Sequence, residues 1–151
     1  MTGHNPTDIS KLGSKRHILT DKDGIPLSTF ITSANTHDVT VAMNTIDNIV
    51  IKRPSKYKHK QNLCLDKTYH SKEVEQEIIK RRYIPHIRHR REEEKLFPRK
   101  HPTRRWVVER TNLWHNRFRK LFTRYEKKDE NYFGLVELAN SLIIYRKLIL
   151  G

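Results

Sequence analysis

The sequence predicts an α/β fold, a mixed sheet with helices on its faces. Three observations predict it. The first is the order of the segments: two extended runs joined by an Asp-Gly turn, then strand and helix in alternation, then two long helical runs. The second is the helical spacing of apolar residues through the C-terminal third. The third is the absence of any Gly/Ser-rich or Pro-rich linker, so residues 1–151 read as one domain.

The elements follow in chain order. Met1 to Ser14 is polar and rich in turn formers (Gly3, Asn5, Pro6, Asp8, Gly13) and reads as loop, an unusual opening for a domain. Lys15 to Thr20 reads as a strand, Asp21 to Gly24 as a turn, and Ile25 to Thr32 as the second arm of a hairpin. Ser33 to Asp38 is a loop with capping residues, Thr36 and Asp38 among them, that opens a helix over Val39 to Val50. Lys52 to Gln61 is a basic linker without an acid, either a phosphate-contacting loop or a solvated one. Asn62 to Asp66 is a short apolar run ending in an acid, read as a buried strand. Ser71 caps a helix over Lys72 to Arg82, and Tyr83 to Ile87 is another short strand. His86 to Lys100 is a charge run, read as an exposed loop. A helix is expected from Pro102 to Arg124, a charged connector from Tyr125 to Asn131, and a last helix from Tyr132 to Leu150. In that last helix Leu135, Leu138, Ala139, Leu142, Ile143 and Ile149 are assigned to the core.

Charge narrows the function. The chain carries 31 Lys and Arg against 17 Asp and Glu, a net charge of +14, which points to a polyanionic partner, nucleic acid first. One cysteine, Cys64, excludes an internal disulfide and a cysteine-based zinc site and fits a reducing cytoplasm. No apolar run is long enough to span a bilayer and no signal peptide is visible, so no membrane role is expected.

The helix from Arg104 to Lys120 organises the chain. Val107, Trp114, Phe118, Leu121, Phe122 and Tyr125 form an apolar stripe, with Arg105, Glu109, Asn112, Asn116 and Lys120 roughly opposite. Glu109 is the only acid between Lys95 and Tyr125, in a field of Arg and Lys. Either it serves a metal ion beside a phosphate, or it only pairs with Arg105 one turn away on a solvated face. Asp66, at a strand end, either carries ligand chemistry or simply ends the strand in a turn. If strand end and helix face meet, the two acids become a carboxylate pair suited to Mg²⁺ or Mn²⁺, and two such ions about 4 Å apart support phosphodiester chemistry. That chemistry needs at least one more acid. Trp106 and Trp114 read as core rather than as stacking platforms, His115 as a surface residue, and His37 as either near the site or part of a capping loop.

These residues resemble a known family. Arg105 to Thr111 (RWVVERT), continuing through Trp114, Asn116 to Lys120 and Tyr125-Glu126, resembles the C-terminal signature of bacterial insertion-sequence transposases of the DDE class. Leu65 to Ser71 (LDKTYHS) resembles their ADKGYDS segment, with Thr68 where glycine is usual. Gly3 to Asp8 and Lys11 to His17 resemble the family's loop and second strand, and Ala34 to Asp38 its Asn-x-His-Asp segment. The resemblance covers nearly the whole chain in the right order. It implies a ribonuclease H-like fold, with Asp66 as the second Asp and Glu109 as the Glu of a metal-binding triad that takes two Mg²⁺ or Mn²⁺ ions. The implied activity is DNA hydrolysis and strand transfer at transposon ends. Arg105, Arg110, Asn116, Arg117, Arg119 and Lys120 are then expected to hold DNA near the cut. A homodimer or a full-length transposase is a further expected partner, in the cytoplasm at the nucleoid.

The chain departs from the pattern in two places. The signature's Tyr is replaced by Pro102. The family's first strand, with its Asp, lies upstream of the loop where this chain starts, so the expectation is a domain incomplete at its N-terminus and weak or inactive alone. Asp8, Asp21 and Asp23 are the acids at hand to replace it, each placed as a turn acid. The alternative function is a non-catalytic basic DNA-binding protein that regulates transposition. A ribonuclease of the same fold is a third reading, carried only by fold analogy.

Overall fold

The computed structural model describes residues 2–4, 12–55, 57–87 and 104–151. Helices and sheets both form, as the α/β expectation requires. Strands β1 (Gly3–His4), β2 (Leu12–Thr20) and β3 (Pro26–Ser33) make an antiparallel sheet in the order β1-β2-β3. Strands β4 (Gln61–Leu65) and β5 (Tyr83–Ile87) make a separate parallel pair, with Leu63 opposite Pro85. Both strand orientations are present, but in two sheets rather than one among the described residues. Only Leu12 and Gly13 of β2 meet β1. The rest of that edge of β2, and the edge of β4 away from β5, carry no strand partner among the described residues.

The β2–β3 turn forms as the sequence predicts. Asp21 Oδ1 accepts from the backbone N–H of Asp23 (2.9 Å) and Ile25 (2.8 Å), and Gly24 takes a φ of 81°. Helix α1 (Asp38–Asp47) begins after His37, which caps it by position but lends no side-chain bond, so neither Thr36 nor Asp38 is the cap. A single 3₁₀ turn, Lys67–Tyr69, leads to α2 (Lys72–Lys80), where Ser71 Oγ accepts from Val74 N–H at 3.1 Å. The expected His86–Lys100 loop falls mostly outside the described residues.

The organising helix is shorter than its periodicity predicts. Helix α3 runs Arg105–Asn116, and Phe118 adopts an extended conformation (φ −83°, ψ 104°) before a one-turn helix, α4 (Arg119–Phe122). The apolar spacing continues across the break, so periodicity alone does not register it. The turn sends Leu121 into a cluster with Tyr132, Val136 and Ala139 of α5 (Asp129–Leu148). Within α3 itself Val107, Thr111 and His115, spaced four apart, are covered, while Trp106, expected in the core, is 55% exposed and Trp114 half-buried. His115 is thus a core residue, because Asn140 gives its ring a partner at 2.8 Å. In α5, Ala139 and Ile143 are buried, but Leu138 and Leu142, and Ile149 just past its end, are exposed.

Two cores result. One joins Ile46 of α1, Leu63 of β4 and Val74 and Ile78 of α2, with Leu19 of β2 packed against it. The other is the α4–α5 cluster, with Ile31 of β3 packed against it. The β2–β3 hairpin therefore touches both.

Candidate active site

Asp66 stands at the end of β4, where the chain leaves the sheet. Its φ and ψ (−70°, 161°) are extended, and its Oδ1 accepts from Lys67 N–H at 2.7 Å, which starts the 3₁₀ turn. That bond fixes one carboxylate oxygen and leaves the other, Oδ2, to point across to α3. There it meets Arg105 Nη1 at 3.2 Å. Arg105 Nε donates to Glu109 Oε1 at 2.8 Å, one helical turn along. One guanidinium thus holds both carboxylates. The three side chains are 33%, 67% and 56% exposed for Asp66, Arg105 and Glu109, so the triad is open to solvent.

The elements that aim Glu109 are fixed from behind. Thr111 Oγ1, fully buried, donates to Gly24 O at 2.7 Å, and Arg110 Nη2 donates to Asp23 O at 2.5 Å. The β2–β3 turn is therefore the seat of α3. Farther along, His115 Nε2 and Asn140 Oδ1 lie 2.8 Å apart, and Asn140 Nδ2 donates to Thr29 Oγ1 at 2.8 Å, tying α3 to α5 and β3.

The ground around Asp66 is acidic on one side. Burial, then the Asp38 and Asp66 carboxylates, hold the Tyr69 hydroxyl firmly protonated, well above the usual tyrosine range. Asp38 also pairs with Lys15 at 2.7 Å and faces His17 Nδ1 at 3.5 Å. Burial outweighs that carboxylate and, with Lys15, keeps His17 below its usual value. The sequence offers Asp38 as a capping candidate and as the last residue of the Asn-x-His-Asp segment, without a role at the site. The signal that could have found it is its place next to His37 in the Asn-x-His-Asp segment. His37 itself is exposed and lends no side-chain hydrogen bond to the start of α1.

The other expected residues are placed as follows. Arg110 stacks over Trp106 (4.8 Å) and Trp114 (5.1 Å) while bracing the turn. Asn116 Oδ1 accepts from Arg16 at 2.8 Å. Arg117, Arg119 and Lys120 are exposed past the end of α3. Of the three substitute acids, Asp21 is committed to its turn, Asp23 pairs with Lys22 at 3.6 Å, and Asp8 lies outside the described residues.

Can these residues hold the divalent ions that such a pair of acids suits? Hard carboxylate oxygens are the right donors for Mg²⁺ or Mn²⁺. But two carboxylates already bound to a guanidinium do not make a site, and among the described residues no group of three His, Cys, Asp or Glu side chains converges. The described residues alone do not fit a metal ion. No helix among them is long and apolar enough to cross a membrane.

Residues 2–144 match the family model described as "Transposase DDE domain". A relative from Burkholderia cepacia, named for the transposase of insertion sequence element IS402, is 36% identical over 150 residues, covering 97% of this chain and 70% of the relative. No solved structure matches. The chain belongs to the DDE-class insertion-sequence transposases.

Proposed function

We propose that this chain supplies Asp66 and Glu109 as two of the acids for metal-dependent hydrolysis and strand transfer at transposon ends, on a ribonuclease H-like fold. The observation that supports this reading is the convergence of the two acids on Arg105. Asp66 and Arg105 lie 39 positions apart and on unrelated elements. A purely solvated Glu109–Arg105 pair has no need of an acid from a strand end.

The site needs a third carboxylate from outside the described residues before Mg²⁺ or Mn²⁺ has a full set of ligands. When bound, the ions supply charge stabilisation at the phosphodiester. What the described residues do is separate from that. Lys67 N–H and the β4 end hold Asp66 in place. Thr111 and Gly24 fix the pitch of α3, and with it Glu109. Arg105 neutralises the acid pair and is released to a DNA phosphate when the backbone arrives. Arg117, Arg119 and Lys120 hold the flanking phosphates. The edges of β2 and β4 that carry no strand partner among the described residues support a ribonuclease H-like sheet completed by one further strand. DNA at the transposon ends and at the target is the partner, and a second transposase chain is expected to share it.

The test is Mn²⁺-dependent nicking of DNA carrying the ends of the element, by the longest native form of the protein. Nicking abolished by Asp66→Ala and by Glu109→Gln supports the assignment. Nicking unchanged by either substitution refutes it.

A second reading has its own observation. The charge of +14 and the guanidinium lodged between the acids both favour a DNA-binding protein without catalysis. It expects DNA affinity indifferent to Mg²⁺ and to Glu109→Gln.

A further inference from the structure

A cavity of about 340 Å³ opens between the end of α3 and the end of α5, with neither Asp66 nor Glu109 in its lining. Trp114, Phe118 and Ile143 supply its apolar wall, and Arg117, Arg146 and Lys147 its rim. No acid lines it. Its size lies at the lower end of pockets that take small ligands, about 300–1,000 Å³. The Trp114 ring bears two cations of different kinds. Arg110, at 5.1 Å, is anchored by its bond to Asp23 O and does not line the cavity. Lys147 Nζ, also at 5.1 Å, is on an exposed side chain that does line it. A flat ring entering the cavity has an indole to stack on after displacing one solvent-exposed ammonium.

The geometry points to a subsite for an unpaired nucleotide: its base against Trp114 and Phe118, its phosphates on Arg117, Arg146 and Lys147. Each half of the ligand has its counterpart. Aromatic walls take any base by its π-face, and the cationic rim takes the phosphodiester without regard to sequence. A base inside a duplex is stacked on its neighbours and has no free face to offer, so the subsite selects single strands. An acidic protein segment would match the rim but leave the indole wall without a planar partner. The proposal rests on the reading of this chain as acting on DNA, and it adds a second site to the acid pair.

The test is fluorescence anisotropy with labelled short oligo(dT) and with a duplex of the same length, at one salt concentration. Trp114→Leu is expected to weaken oligo(dT) binding about tenfold, the scale of one lost stacking contact. Duplex binding is expected to stay within about twofold. Loss of both affinities together would make the patch a plain phosphate track and overturn the subsite. Loss of neither would overturn it too. If Trp114→Leu does not fold, as a thermal melt would show, the exposed Lys147→Glu replaces it. A larger loss on oligo(dT) than on duplex upholds the proposal, and equal loss rejects it. Nicking is scored separately: its absence with oligo(dT) selectivity intact defeats the catalytic reading and leaves this subsite standing.

Discussion

Arg105 and Asp66 meet at 3.2 Å across the gap between α3 and the end of β4, although 39 positions separate them in the chain. The contact is exposed, and an exposed ion pair contributes about 0–1 kcal/mol. Asp66→Asn, Arg105→Gln and Glu109→Gln are each expected to leave the melting temperature nearly unchanged, as a thermal melt followed by circular dichroism will read. If the acids are catalytic, the same Asp66 and Glu109 variants lose nicking. A stability loss of several kcal/mol would instead make the triad a structural clamp.

Gly24 is expected to tolerate no side chain. Its φ of 81° is strained for any L-residue, and an added Cβ would lie 3.1 Å from both Arg110 Nη2 and Thr111 Oγ1. Gly24→Ala should cost about 1–2 kcal/mol from the left-handed backbone alone, measured by urea unfolding. Because the turn seats α3, nicking should fall further than stability does. Unchanged stability would show that the turn does not carry α3.

Stability should fall on mild acidification. Burial holds His115 below the ordinary histidine value of 6.5, the Asn140 bond opposing and Arg16 adding to it. His17 is lowered as well, chiefly by burial. Both are neutral in the folded chain and take up protons more readily when unfolded. The unfolded state therefore binds more protons below about pH 6.5, and stability present above that value is lost as pH drops toward the lowered folded values. Urea midpoints at pH 7.5 and 5.5 check the sign. Replacing His115 by Gln should flatten the dependence, and an equally steep curve would refute its part in it.

Arg119 and Lys120 are expected to act on DNA through charge alone. Replacing either by Ala should weaken duplex binding at all sequences and reduce the slope of log affinity against log salt by about 0.9. Titrations at several salt concentrations measure this. Asn116→Ala is expected to leave the slope unchanged, since its side chain is engaged with Arg16.

Local chemistry was the part of the fold that sequence carried. The Ser71 cap, the Asp21 turn and β5 at Tyr83–Ile87 each depend on residues a few positions apart. The break after Asn116 does not: Phe118, Leu121 and Phe122 keep helical spacing through it, and no Pro or Gly marks it. What bends the chain there is the α5 cluster that receives Leu121. His115 misled for the same reason, its partner Asn140 lying 25 positions away. At the site, a strand-end Asp66 and a lone Glu109 could each be noticed, but spacing could not join them. Only the family resemblance did that, and Arg105 as their common partner for both needed the folded chain.

Asp66 rides on β4, whose Leu63 belongs to the first core, whereas Glu109 rides on α3, which is bonded to α5 and to the β2–β3 turn. The acid pair therefore bridges elements seated on different packing clusters, and the hairpin packs against both clusters. A small shift of α3 relative to the end of β4 is expected to part the carboxylates before the described helices and strands unfold. Hydrogen exchange should register such an opening at lower free energy than global unfolding, and a partner that bridges the two elements, such as a DNA backbone, would tighten the site without touching either acid.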